Sequence, residues 1–197
     1  MGCIFVCGEK MLKELLKKTR SYRRFDHSVK ITREELTDIV EIYRLLPSAM
    51  NHQPLKFYIA CDEEIVDKLF EYTFWAGAIK DGKPVSEESP VAYIVICFDK
   101  SIGGCCDWDA GITSLALMER AVEMGYGGTI IGSFTKDKFI EILGIEEGLE
   151  PNLILALGKP IENVILTDPK DGEITYYRDE NRNHYVPKRP ISEILKN

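Results

Sequence analysis

Between Asp107 and Gly125 apolar residues recur on nearly every side of a helix: Trp108, Ile112, Leu115, Leu117, Met118, Ala121, Val122 and Met124. A helix that is apolar almost all round belongs in an interior, so the chain has to be built around this one. Ala110, Gly111 and Ser114 lie about one turn apart on it. They form a patch of small residues where another backbone can approach closely, and a second copy of the same helix is the expected neighbour. The segment Gly125-Tyr126-Gly127-Gly128-Thr129-Ile130-Ile131-Gly132 follows as a glycine-rich turn into a short apolar strand. The order helix, turn, strand differs from the strand–turn–helix order of a dinucleotide fingerprint.

The other elements follow from periodicity and punctuation. Val91–Phe98 is a continuous apolar run of strand length and predicts a strand buried on both faces. Leu55–Cys61 reads as a strand and Asn152–Leu157 as a short buried one. Met11, Leu12, Leu15 and Leu16 sit at helical spacing within Glu9–Lys18. Thr32 with Glu35 is a capping box ahead of the stripe Leu36, Ile39, Val40 and Tyr43, and Pro47 ends that helix. Asp62 caps a helix to about Thr73, and Thr135 caps another that Gly144 ends. Phe74–Pro90, with Trp75, Gly77, Lys80, Gly82 and Pro84, reads as an irregular excursion, either a functional lid or a surface loop. The tail from Ile161 to Asn197 is charged and rich in tyrosine.

The chain is expected to be one domain over residues 1–197, with residues 1–8 as an irregular extension or short edge strand. Its formal charge of −7 argues against sequence-independent nucleic-acid binding, and no apolar run reaches membrane-span length. Gly2 hints at myristoylation, but Val6 stands where a hydroxyl residue is wanted. The six cysteines, at 3, 7, 61, 97, 105 and 106, contain no Cys-x-x-Cys and fit a reduced, cytoplasmic protein. Cys105-Cys106 is read as a bystander pair, with a redox or metal role as the alternative.

Against this acidic background, Lys17, Lys18, Arg20, Arg23 and Arg24 place five cations in eight residues. Arginine's planar fork matches phosphate or carboxylate oxygens two at a time. The run is either a solvated helix end, aided by the negative C-terminal dipole, or the seat of a bound anion, most commonly a phosphate. A second basic pair, Lys188-Arg189, lies near the other end of the chain. His27, His52 and His184 are scattered, with His52 read as a polar turn residue. Asp107 and Asp109 read as helix N-terminal charges, and no catalytic side chain or metal site is expected.

Four motifs together resemble the FMN-dependent nitroreductase family, from about Lys13 to Leu195. They are Arg20-Ser21-Tyr22-Arg23-Arg24-Phe25; Pro47-Ser48-Ala49-Met50-Asn51-His52-Gln53-Pro54; Asp109-Ala110-Gly111-Ile112 leading through the long helix to Gly125-Tyr126-Gly127 and Ile131-Gly132; and Pro187-Lys188-Arg189. The sequence departs from the family pattern at Thr19, where an arginine is frequent, at Leu55, where tryptophan is usual, and at Ser114-Leu115, where Gln-Asn is frequent.

The resemblance implies an α+β fold, a mixed central sheet of four or five strands flanked by helices, and an intertwined homodimer with the flavin site shared between subunits. Arg20, Ser21 and Arg23 would hold FMN from phosphate to ring edge, with Arg23 as the cation near N1. Lys188 and Arg189 would complete the phosphate site. Pro47, Ser48, Ala49, Asn51 and Gln53 would reach the flavin from the second subunit. Ile130, Ile131 and Gly132 would line the ring. The implied activity is an NAD(P)H-dependent flavin oxidoreductase passing hydride from NADH or NADPH through flavin N5 to an electron-poor small molecule, such as a nitroaromatic or quinone. The alternatives within the fold are a flavin-dependent dehydrogenase and a non-catalytic FMN-binding protein.

Overall fold

The computed structural model describes residues 8–79 and 81–196. Of the expected N-terminal extension, residues 1–7 lie outside the described residues, as do Cys3, Cys7 and Lys80, while Gly8 already opens the first helix. That helix, α1 (Gly8–Lys18), delivers the chain to the basic motif, which ends in a two-residue strand, β1 (Phe25–Asp26). α2 (Arg33–Glu41) begins at the capping box: the Glu35 N–H donates to the Thr32 hydroxyl at 3.2 Å, and the Thr32 N–H donates to the Glu35 carboxylate at 2.9 Å. A turn of 3-10 helix, Ile42–Leu45, extends it before Pro47. Thr32→Ala leaves the Glu35 N–H without its acceptor and is expected to cost about 1 kcal/mol in a urea melt, whereas an unchanged midpoint contradicts the cap.

Next come β2 (Leu55–Ala60), α3 (Glu63–Glu71), β3 (Ala92–Asp99), α4 (Cys106–Glu123), β4 (Gly127–Ile131), α5 (Lys136–Leu143) and β5 (Leu149–Pro160). The Asp62 carboxylate caps α3 by accepting from the Ile65 N–H. Thr135 stands at the N-cap of α5 but makes no side-chain capping bond there. The tail forms β6 (Val164–Thr167), β7 (Tyr177–Arg178), β8 (His184–Pro187) and the short α6 (Ile191–Ile194).

β5 is the spine of a five-stranded antiparallel sheet. β3 pairs along one side of it and then with β2, while β4 and β1 share its other side end to end. Its twelve residues exceed the six expected for Asn152–Leu157 because it serves partners on both sides. Strand alternation sends Ala92 and Ile94 of β3, with Leu155 and Leu157 of β5, against α2 and α4. Tyr93, Val95 and Cys97, with Ile154 and Ala156, pack against α3 and α5. Both faces are covered, which is why β3 reads as an unbroken apolar run. The tail strands form a second, three-stranded sheet in the order β6-β8-β7, which the sequence reading did not resolve. No helix among the described residues is long and apolar enough to cross a membrane.

The long helix corrects one expectation. Ala110 and Ser114 are buried within the chain, so they are not a surface for a second copy. They share the inward face with Thr113, Leu117, Met118 and Ala121, and their small size lets α4 lie close to its neighbours. Trp108, Ile112 and Leu115 point outward instead, 70%, 45% and 45% exposed, and Gly111 lies open beside them. The helix is apolar on two sides, only one of which its own chain covers.

Candidate functional site

Two backbone attachments bring the ends of the chain together. Tyr22 donates its N–H to the Gly128 carbonyl at 2.8 Å, and Ser21 bridges to Gly128 in parallel register. Glycine is required there, because a Cβ on Gly128 would stand 2.3 Å from the Ala156 carbonyl oxygen. The basic motif is thereby fastened to β4, with Arg20 and Arg23 on either side of the attachment. On the tail, His184 pairs with Val164, and the Lys188 N–H continues the pairing to the Thr167 carbonyl at 2.8 Å. Alternation then places His184, Val186 and Lys188 on one face of β8.

That face and the basic motif enclose a cavity of about 370 Å³. Arg20, Ser21, Arg23, Ile130 and Lys188, all expected at the site, line it, together with Thr19, Tyr176, His184 and Leu115. Among the described residues no acidic one is on its wall. A smaller cavity of about 160 Å³ shares Arg23 and Ile130 with it and adds Ile131, Gly132, Phe74 and Trp75. The two together hold every site residue expected from the basic motif and from β4.

The Arg20 guanidinium has a structural and a free side. Its Nη2 donates to the Leu16 carbonyl at 2.7 Å, while the Thr19 hydroxyl donates to the Leu15 carbonyl at 2.9 Å, so both satisfy the end of α1. Its Nε is buried with no hydrogen-bond partner, a donor left for something else. Arg20 thus closes the helix end and keeps one donor unpartnered. The fully buried Glu162 carboxylate anchors the region, accepting from the Arg23 N–H at 2.9 Å and from the Arg178 guanidinium. The Arg23 guanidinium lies 5.4 Å from the centre of the Tyr176 ring. Arg24, the last cation of the run, faces away into an ion pair with Glu88.

His184 is a wall residue that sequence reasoning passed over. Its place four residues before Lys188 on an alternating strand was the available signal. Burial pushes its pKa from 6.5 down to about 4; nearby Glu162 opposes the shift, and Arg23 and Arg178 add to it. The fold therefore favours the neutral ring. This contribution to stability is complete above pH 6.5 and is lost as the pH falls from there through about 4. In flavin-free protein, the melting temperature of the wild type should fall over that interval more steeply than that of His184→Phe, and parallel profiles would contradict this.

Other expected residues lie elsewhere. Arg189 does not reach the cavity, because its guanidinium pairs with Glu193 on α6 at 2.9 Å. Pro47, Ser48, Ala49, Asn51 and Gln53 form a loop that lines neither cavity within this chain. The loop is held by Asp109, buried in the first turn of α4, which accepts from the Ser48 hydroxyl at 2.6 Å and from the Ala49 N–H at 2.9 Å. The Gln53 N–H donates to the Ser48 hydroxyl at 2.8 Å, and Met50, Asn51 and Gln53 all take positive φ. Asp109 is thus a loop anchor as well as a helix N-terminal charge. Trp75 is a core residue, its indole N–H bonded to the Thr73 hydroxyl at 2.7 Å, and only its edge meets the smaller cavity. Cys105 and Cys106 are partly exposed, and neither lines a cavity described above.

Comparison with known proteins gives this geometry a context. The family model described as "Nitroreductase family" matches residues 16–93, which include the basic motif and the Pro47–Pro54 loop. An NADH dehydrogenase/NAD(P)H nitroreductase homologue of Methanothermobacter thermautotrophicus is 30% identical over 159 residues, covering 76% of this chain and 78% of that protein. The NAD(P)H nitroreductase homologue YdgI of Bacillus subtilis is 27% identical over 181 residues, covering 74% and 87%. Among solved structures, a nitroreductase family protein of Streptococcus pneumoniae superposes with a TM-score of 0.67 at 21% identity, over 94% of this chain and 99% of that one. Another from Clostridium difficile gives 0.64 at 24% identity, over 93% and 95%.

Proposed function

The chain belongs to the nitroreductase family, and on that premise we propose that it is a cytoplasmic FMN-dependent oxidoreductase drawing on NADH or NADPH. The observation that carries the reading is the meeting of Arg20 and Lys188, from opposite ends of the sequence, on one cavity with no acidic wall residue among the described residues. A flavin phosphate is nearly a dianion and calls for several charge-assisted donors. The cavity offers two guanidinium groups, of which Arg20's has an unpartnered Nε, with an ammonium and the Ser21 hydroxyl, so its donor set fits that group.

When bound, FMN supplies the redox chemistry, accepting hydride from NAD(P)H at N5 and passing the electrons to an acceptor such as a nitroaromatic or quinone. The protein's part is binding and electrostatics. Arg20, Ser21 and Lys188 hold the phosphate end. Arg23 walls both cavities and would supply a positive charge to a ring whose reduced form gains negative charge. Ile130, Ile131 and Gly132 give an apolar wall where β4 ends. No acid–base side chain is assigned a proton transfer.

The second copy completes the site. Leu115 belongs to the outward stripe of α4 and also lines the larger cavity, so the uncovered apolar face runs to the cavity's rim. A homodimer across Trp108, Ile112 and Leu115 covers that face and brings the Asp109-anchored loop, with Pro47, Ser48, Ala49, Asn51 and Gln53, to the neighbouring site. The test is anaerobic addition of NADH, and separately NADPH, to FMN-loaded protein. Bleaching of the flavin band, reversed by a nitroaromatic or quinone, is expected. Bound flavin that neither donor reduces would contradict an enzymatic role and favour a binding protein.

A further inference from the structure

We propose that His184 is a hydrogen-bonding partner of the flavin's ribityl hydroxyls, an inference that rests on the FMN reading above. Three observations place it there. His184 is buried, its Nδ1 has no hydrogen-bond partner, and it lines the same cavity as Arg20, Arg23 and Lys188. A buried ring nitrogen with nothing to bond is costly unless a ligand supplies the missing group.

Position along the strand decides which part of the ligand it meets. His184 and Lys188 share a face of β8, and four residues of strand separate them by about 13 Å. Lys188 marks the phosphate end. At the other end the His184 ring packs 5.4 Å from Tyr176, and Tyr176 lies under the Arg23 guanidinium that serves the ring. His184 therefore stands away from the phosphate, on the stretch where an extended polyol crosses to the ring.

Its chemistry agrees. Its burial, with Arg23 and Arg178 adding to it against Glu162, keeps the imidazole neutral at physiological pH, so it is not a phosphate cation. A neutral imidazole presents one donor and one acceptor, and a hydroxyl can complement either tautomer.

The test compares three ligands of increasing length on flavin-stripped protein: lumiflavin, which has no ribityl chain, riboflavin and FMN. His184→Phe keeps an aromatic ring against Tyr176 and removes the nitrogens. It should weaken riboflavin and FMN by the same factor, about tenfold, and leave lumiflavin unchanged. His184→Asn, which keeps a polar atom near the Nδ1 position, should recover most of that loss. Equal weakening of all three flavins would mean a packing role, weakening of FMN alone a phosphate contact, and no change no contact; each overturns the inference while FMN binding by the wild type keeps the FMN reading intact. A wild-type protein that binds none of the three overturns both.

Discussion

Lys188→Ala lowers FMN affinity by about ten- to a hundredfold and leaves riboflavin affinity within a few-fold. A hydrogen bond to a charged group contributes roughly 1.5–3 kcal/mol, which sets that range. Among the described residues no carboxylate pairs with the Lys188 ammonium, so removing it disturbs no ion pair. Arg20→Ala has an effect at least as large on FMN, with an added loss of stability, because its Nη2 also closes the end of α1 at Leu16. Arg20→Lys separates the two roles: the charge returns, while the forked geometry does not. Equal losses for riboflavin and FMN in the Lys188 variant would mean that the ammonium does not meet the phosphate. Isothermal titration of flavin-stripped protein reads both ligands.

The second large effect is on the proposed assembly. Trp108→Glu with Ile112→Glu should turn the proposed dimer into a monomer in sedimentation velocity, and bound FMN should be lost with it. Burying a large apolar side chain contributes roughly 1.5–3 kcal/mol, and two-fold symmetry applies each substitution twice. Neither side chain lines a cavity described above, so flavin loss would report the missing second copy. A large residue at Ala110 or Ser114 would instead strike the interior of the chain, since both are buried. A monomeric variant that holds FMN at wild-type affinity would show that one chain makes the whole site.

Local signals were readable where the chemistry is local. The Thr32–Glu35 box and the Asp62 cap are each built from residues three apart, and both formed as expected. The apolar run of β3 needed only to know that both faces of its strand were covered. The basic motif stood out because its charge ran against the composition, but its helix-capping duty required the geometry of Leu16. What failed to show was non-local. The bond between Ser48 and Asp109 joins residues sixty-one positions apart, with no pattern linking them. The tail strands are short, and β6 and β7 are fixed by pairing to β8 more than by any run of their own. Arg189 and Lys188 were indistinguishable as neighbours in sequence; strand alternation and Glu193 separated them. The two apolar sides of α4 looked alike because hydrophobicity does not say which chain covers it.

The FMN reading proposed for this protein depends on Arg20 and Lys188 serving one flavin phosphate. A crystal structure of the FMN-loaded protein tests that directly. The phosphate oxygens should lie within hydrogen-bonding distance of Arg20 and Lys188 of the same chain, with the loop from Pro47 to Gln53 of the second copy against the ring. Flavin bound with its phosphate away from Arg20 and Lys188 would contradict the account.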